Sequence, residues 1–389
     1  MRIGIDARLI TYRRGMGNVV YHLLHAIAAT NSPHHYMLYV DDPAARALLP
    51  QTPQFTMRVL RPSFYPIWEQ VLLPLAALGD RIEVLHCPAN TGPLNLSTTI
   101  NMVLTIHDVM YMLPTSKLPS SPSYYQQLGR VYRRLIVPFA IDRAAAVMTD
   151  SAHSGQDLVQ LIGPPPCPMT VVPLAPGVAY QHSADPSMVA AVCAEYGLVH
   201  PFVLTLGAID PRKNTARVIE AFALLRCRIA HPLLLAVVGL PPTGQAHFAQ
   251  LAAELGVTDA IKFAGFVSEE HLVALYNAAE LLAYPSLYEG FGLPVVEAMA
   301  CGTPVITSPV GSIPEVAGDA ALLINPQDTG ALTAAMQRLL ESHELRQELI
   351  TRGYERLKHF SWERVAAMTL AIYEQVGMQS RSVSTKGRV

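Results

Sequence analysis

The sequence predicts an α/β protein built from two doubly wound parallel-sheet domains, and three observations carry that expectation. Short apolar runs alternate with helical stretches through both halves of the chain, the pattern of successive βα units. A proline-dense stretch, Gly163-Pro-Pro-Pro-Cys-Pro168 followed by Pro173 and Pro176, interrupts the alternation near the middle and reads as a connector. The composition is 51% hydrophobic and only 15% charged, with mean hydropathy +0.26. No uninterrupted run approaches the ~18 apolar residues of a membrane span, so strands covered on both faces account for the apolar excess.

Taken in order, the first domain (1–170) is expected to hold strands at 3–5, 36–40, 84–87, 102–106 and 147–149, with a helix over 18–29. A linker and hinge follows at 171–199 and includes a helix near 186–196. The second domain (200–360) restarts with a strand at 202–206 and continues through helix 216–225, strand 233–238, helix 245–255, strand 261–263 and helix 269–279. Strands at 281–284 and 305–307 complete that pattern. The last helix, 361–377, is expected to return toward the first domain, and the basic, Ser-rich 378–389 to be a disordered tail. At 389 residues the chain suits two domains rather than one. In such a pair a ligand is expected in the cleft between domains, at the carboxyl ends of strands.

The balance of charge narrows the function. A net charge of −2 gives no electrostatic support for a nucleic-acid partner. The five cysteines, Cys87, Cys167, Cys193, Cys227 and Cys301, form no CxxC pair, which argues against a zinc site and a disulfide framework. The chain opens directly into a strand, so no signal peptide is expected and the protein reads as cytoplasmic.

The most specific segment runs from Ser286 to Pro304. Glu289 and Glu297 bracket a glycine-bearing loop that enters a helix at Pro294, where a missing amide costs nothing. Orphan amides at such a helix start attract anions. A plainer reading makes Glu297 a dipole partner and Glu289 a solvated loop acid; two acids, glycines and a helix start together favour a site for a molecule bearing phosphate and hydroxyls. A second basic loop, Gly207-Ala-Ile-Asp-Pro-Arg-Lys-Asn214, follows the strand at 202–206. Arg212 and Lys213 there suit a diphosphate, the first as a fork and the second as a point charge, with Asn214 as the expected N-cap. Gly15 and Gly17 invite comparison with a dinucleotide fingerprint, with Asp41-Asp42 as a ribose acid, but they lie beyond the strand's turn and Val20 holds the third glycine position. His107 closes the strand at 102–106 and is placed to give a sugar hydroxyl either a ring hydrogen bond or its carbonyl.

The run Tyr288-Glu-Gly-Phe-Gly-Leu-Pro294, then Glu297-Ala-Met-Ala300 and Gly302-Thr-Pro-Val305, resembles the paired-glutamate motif of retaining glycosyltransferases of the GT-B fold, in particular glycosyltransferase family 4. The resemblance implies two Rossmann-like domains facing a central cleft. It also implies that Glu289 meets the donor sugar's hydroxyls, that Glu297 binds the nucleotide ribose, and that the backbone of Phe291, Gly292 and Leu293 contacts sugar and phosphate. Pro211-Arg-Lys-Asn214 resembles the diphosphate motif of one subgroup; where many relatives carry an arginine after the glycine this chain has Ala208, which puts more weight on Arg212. By the same resemblance Gly15 and Gly17 close over donor phosphate and acceptor, His107 joins Glu289 as a catalytic residue near the hexose, and Asp108 faces the acceptor. Trp68-Glu-Gln-Val-Leu-Leu-Pro74 is read as mostly packing, Ser151 and Ser154 as helix caps, and Glu315 as support behind the site.

The function expected is therefore retaining transfer of a hexose, mannose favoured, from a nucleoside-diphosphate sugar (GDP-mannose or a UDP-sugar) to a hydroxyl of a glycan, lipid-linked or small-molecule acceptor. No cofactor is expected, and no metal, because no Asp-x-Asp triplet occurs. The basic-aromatic stretch from Tyr124 to Arg134 reads first as a helix over the first sheet, and second as a peripheral contact with the inner face of a membrane. The competing functions are a sugar-nucleotide epimerase, a phosphorylase using pyridoxal phosphate, and a catalytically silent sugar-nucleotide-binding scaffold.

Overall fold

Two parallel sheets organise the chain in the computed structural model, which describes residues 1–114, 124–182 and 185–386, the side chains of 124–126 and 379–386 excepted. The chain divides into two units: one of 1–112, 128–175 and 361–389, the other of 113–127 and 176–360.

The first unit is built on β1 (Arg2–Asp6), α1 (Met16–Ala29), β2 (His35–Val40), β3 (Phe55–Val59), α2 (Tyr65–Ile67) and α3 (Leu73–Gly79), the last two joined by a π turn. It continues through β4 (Val84–Cys87), β5 (Asn101–Ile106), α4 (Tyr124–Arg143), β6 (Ala146–Thr149), α5 (Ala152–Leu161) and β7 (Met169–Val171). The sheet runs β3-β2-β1-β4-β5-β6-β7, every pair parallel. All four residues of β4 and of β6 are buried, as strands covered on both faces must be.

The second unit comprises α6 (Pro186–Glu195), β8 (Phe202–Leu206), α7 (Thr215–Arg226), β9 (Leu234–Val238), α8 (Pro242–Glu254), β10 (Ile261–Gly265) and α9 (Glu269–Ala278). After these come β11 (Leu281–Tyr284), α10 (Leu293–Ala300), β12 (Val305–Thr307), α11 (Ile313–Ala317), β13 (Ala321–Leu323), α12 (Thr329–Glu341) and α13 (His343–Leu357). The strand order is β10-β9-β8-β11-β12-β13, again all parallel. A single core of strand and helix residues, Leu204, Leu235, Tyr284 and Phe222 among them, lies under this sheet.

The chain then returns to the first unit as α14 (Trp362–Lys386). Trp362 stacks on His22 of α1 at 5.2 Å, Asn101 donates to the Val376 carbonyl at 3.1 Å, and the Tyr373 hydroxyl meets buried His86 Nδ1 at 2.6 Å.

Several boundaries depart from the sequence reading. The tail expected to be disordered from Met378 continues α14 to Lys386; 387–389 lie outside the described residues. Within the stretch read as linker and hinge, β7 ends at Val171 as an unexpected edge strand, whereas the helix expected near 186–196 is present as α6 and packs on α9 within the second unit. The strands β3, β7 and β13 escaped the sequence reading because they are short edge or near-edge strands with half-exposed residues. Among the described residues no helix is long and apolar enough to cross a membrane.

Candidate active site

In the second unit the strand order reverses between β8 and β11, and the two motif loops leave the carboxyl ends of these two adjacent strands. A reversal of this kind opens a crevice where ligands of doubly wound sheets bind.

The loop after β8 tightens into a 3₁₀ turn, Pro211–Lys213, capped by the Asp210 carboxylate, which accepts from the Arg212 amide at 3.0 Å. Asn214 then adopts φ +57°, the left-handed region that asparagine tolerates. It holds the N-cap position of α7 that the sequence assigned it, but makes no side-chain capping bond there. Its amide instead donates to the carbonyls of Pro285 (3.0 Å) and Pro326 (2.7 Å), tying the loop to the end of β11.

These restraints aim both cations at Glu289. Arg212 Nη1 donates to Glu289 Oε2 at 2.8 Å and to the Tyr288 carbonyl at 3.0 Å. Lys213 Nζ reaches Glu289 Oε1 at 2.8 Å, the Tyr284 hydroxyl donates to the same oxygen at 2.7 Å, and Lys213 also touches that hydroxyl. Burial alone would raise the Glu289 pKa; the charges of Arg212 and Lys213, with the hydrogen bonds, reverse that and bring it down to about 2. Lys213 moves down, first through burial and then through the neighbouring guanidinium, with Glu289 opposing.

Glu297 occupies a different environment. It is buried in α10, and its hydrogen bond comes from the Tyr276 hydroxyl at 3.3 Å. Burial, with a smaller push from Glu269, lifts its pKa to about 7. Two acids of one motif thus differ in charge: Glu289 is a fixed carboxylate, and Glu297 holds a proton that can be donated or withdrawn near neutrality.

The helix between them begins at Leu293, with Pro294 second. Gly292 precedes it at φ +101°, where a β-carbon would collide with Ile313. Pro294 has no amide to give and the Val295 amide donates to the Gly292 carbonyl at 2.9 Å, so of the first three residues Leu293 is the one whose amide can meet an anion at this helix start. Phe291 has only its backbone to offer a ligand, because its ring is buried edge-on against Phe360. Support from behind comes from Gly311 and Ser312. The Ser312 hydroxyl donates to the carbonyls of Glu289 (3.1 Å) and Phe291 (2.7 Å), and Gly311 packs so tightly on Glu289 that a β-carbon would overlap its carbonyl oxygen. Glu315, expected in that role, is exposed one turn further on.

In the first unit His107 follows β5 and is buried. Its Nδ1 meets Asp150 Oδ2 at 2.7 Å, its Nε2 meets the Pro88 carbonyl at 2.7 Å, its amide donates to Asn90 at 2.6 Å, and its carbonyl accepts from Ser154 at 2.9 Å. Burial would lower the pKa, but Asp150 wins and raises it. The expectation of a ring hydrogen bond to a sugar hydroxyl is therefore corrected: both ring nitrogens are already engaged. Asp150, Asn90 and Ser154 were not singled out as its partners. The signal was there for Asp150, since it follows β6 and β6 neighbours β5.

The two early glycines differ. Gly15 has φ +50° with open space where a β-carbon would stand, whereas Gly17 opens α1 against the Tyr12 and Leu9 carbonyls and admits no side chain. Asp41 is paired with Arg8 at 2.6 Å and Asp42 caps the next turn, so neither is a ribose acid. Asp108 accepts from the Met110 amide at 3.1 Å. In Trp68-Glu-Gln70 only the tryptophan is plain packing. Buried Glu69 accepts from Tyr65 (2.7 Å), Thr91 (2.5 Å), Gln70 (2.7 Å) and Tyr132 (2.6 Å), a polar seam between α2–α3 and α4.

Comparison with known proteins decides the family. The model described as Glycosyl transferases group 1 matches residues 199–356, and that described as Glycosyltransferase Family 4 matches 13–175. The O-antigen chain mannosyltransferase B of Escherichia coli is 33% identical over 276 residues, 70% of each chain. The chain belongs to glycosyltransferase family 4. It is a glycosyltransferase, and others of its relatives are also named mannosyltransferases. The MMP alpha-(1->4)-mannosyltransferase of Mycolicibacterium hassiacum is 41% identical over 184 residues, 46% of this chain and 44% of that one. The sucrose-phosphate synthase of Thermosynechococcus elongatus superposes with TM-score 0.74 at 22% identity over 97% of this chain and 99% of its own, a likeness of fold. WaaG, a glycosyltransferase involved in lipopolysaccharide biosynthesis, gives 0.72 at 19% identity, over 96% and 99%.

Proposed function

We propose that this glycosyltransferase moves mannose from GDP-mannose to a hydroxyl of a glycan acceptor, lipid-linked or free, with retention at the anomeric carbon. The observation that carries the reading is the convergence of Arg212, Lys213 and Glu289 beside the start of α10. Glycosyl transfer from a nucleotide sugar builds negative charge on the departing diphosphate. Two cations and a helix start fixed in advance lower that barrier without reorganisation. Glu289, ionised at any working pH, accepts hydrogen bonds from sugar hydroxyls and holds the cations in place until the donor arrives. Glu297, able to donate as well as accept, suits the paired hydroxyls of a ribose. The departing phosphate takes the acceptor's proton, so the reading names no protein nucleophile and no metal. His107 acts as a positioning residue, its ring fixed by Asp150 and Pro88.

Mannose as the sugar leans on the printed names of the relatives, and the inner membrane face as the workplace leans on an acceptor held there by lipid. The test is a panel of nucleotide sugars, scored by thermal shift and then by nucleotide release with and without acceptor. Release that requires acceptor, persists in a chelator, and is strongest with GDP-mannose is the expected result. Acceptor-independent conversion of the donor points to an epimerase. Full transfer by Glu289→Ala overturns the site.

A further inference from the structure

Glu69 and Gln70 do more than pack. They lie on the π turn, Trp68–Leu72, a helical irregularity that is rare and recurs at functional sites. Glu69 is fully buried, yet the four groups that donate to it are neutral: the hydroxyls of Tyr65, Thr91 and Tyr132 and the Gln70 amide. A carboxylate in such a place is costly, and apolar side chains of similar volume would fill the space at less cost. What the acid supplies in return is a fixed position for the groups that donate to it.

One of those groups belongs to the loop that leaves β4. Thr91 Oγ1 donates to Glu69 Oε1 at 2.5 Å, Gln70 Nε2 donates to the Gly92 carbonyl at 3.3 Å, and Gln70 Oε1 accepts from the Leu94 amide at 3.0 Å. The near end of the same loop grips His107. The Pro88 carbonyl meets His107 Nε2 at 2.7 Å, and Asn90 Oδ1 accepts from the His107 amide at 2.6 Å. Asn90 itself holds φ +67°, a left-handed conformation whose cost is borne because the bonds on either side determine it. The strand order of this sheet reverses between β1 and β4, so the loop leaves at the crevice where a doubly wound sheet binds its ligand. We propose that Glu69 is a positioning residue for glycosyl transfer: with Gln70 it clamps the loop after β4, and through that loop it sets where His107 stands. The proposal rests on the reading that His107 serves the reaction, and its test separates the two.

Thr91→Val removes the loop's bond to Glu69, Thr91→Ser keeps it, and Glu69→Gln alters the clamp directly. Tyr39→Phe, which breaks a buried hydroxyl bond to Asp80 elsewhere in the same unit, controls for lost stability alone. In NMR spectra of the ligand-free full chain, the His107 ring nitrogens should be displaced in Thr91→Val and Glu69→Gln. They should keep their wild-type positions in Thr91→Ser and Tyr39→Phe. Turnover of GDP-mannose with an alkyl mannoside as acceptor should fall about tenfold in kcat in the first two variants, with donor KM unchanged, the mark of a lost transition-state alignment. Unmoved His107 resonances in Thr91→Val, or wild-type kcat in that variant, overturns the proposal, and this arm decides it whether or not Glu69→Gln folds. Full turnover by His107→Ala, with the resonances displaced in Thr91→Val, leaves the clamp standing and overturns the role given to His107.

Discussion

Replacing Glu297 with glutamine should stabilise the protein at alkaline pH and leave it nearly unchanged at pH 5. Folded Glu297 binds its proton more tightly than the unfolded chain does, with a pKa of about 7 against the usual 4.5. Ionising it therefore opposes folding. The wild type loses stability as pH rises from the lower value to the higher, and the loss is level above. A displacement of that size corresponds to about 3 kcal/mol once the carboxylate is fully charged, and to under about 1 kcal/mol at pH 5. For a unit of this size each kcal/mol moves the melting temperature by roughly 2–4 °C. The gain of Glu297→Gln over wild type should thus grow by about 5–10 °C between pH 5 and pH 9. Calorimetry of the ligand-free protein and its variant, scanned across that range, reads it directly. A gain that is the same at both ends refutes the reasoning, because a pH-independent effect comes from packing and not from a buried ionisation. On the proposed ribose contact of Glu297, donor affinity should fall in the same variant.

Asp150→Asn should lower the His107 pKa, followed by NMR titration. Because the folded pKa is raised, the stability held by this pair is complete below the unfolded value and lost as pH climbs through the folded one, so the variant should lose more at pH 6 than at pH 9. Gly17→Ala should cost about 3 kcal/mol or more in denaturant unfolding, since its β-carbon overlaps the Tyr12 carbonyl, while Gly15→Ala should cost about 1–2 kcal/mol through its positive φ alone; equal costs would contradict the geometry. Gly311→Ala should displace the Glu289 loop and cut transfer at saturating donor by about tenfold or more, measured as kcat, with circular dichroism unchanged.

Much of this was legible in the sequence, and the remainder was hidden for identifiable reasons. Central strands such as β4 and β11 are short buried runs, apolar but for His86, and both were read to the residue. Edge strands β3 and β13 carry half-exposed residues and give no such signal. The paired acids were visible as types at a spacing, but not their different protonation, which depends on parts of the chain far away: Arg212 and Lys213 around Glu289, and the burial of Glu297. Asp150 was given no role from sequence, because the sequence places it far from His107, and the pairing of β5 with β6 brings them together. Glu69 was read with its buried tryptophan neighbour, although a buried acid signals a network wherever it occurs.

The return of α14 to the first unit fixes an order of assembly on the ribosome. Residues 176–360 are contiguous and can fold as soon as they emerge, whereas the earlier unit lacks its final wall until 362–376 have been synthesised. Until then the face of α1 under Trp362 and the ring of His86 under Tyr373 are uncovered. The part of the protein made first is the last to be finished, and for most of translation it is the part most open to chaperones and proteases.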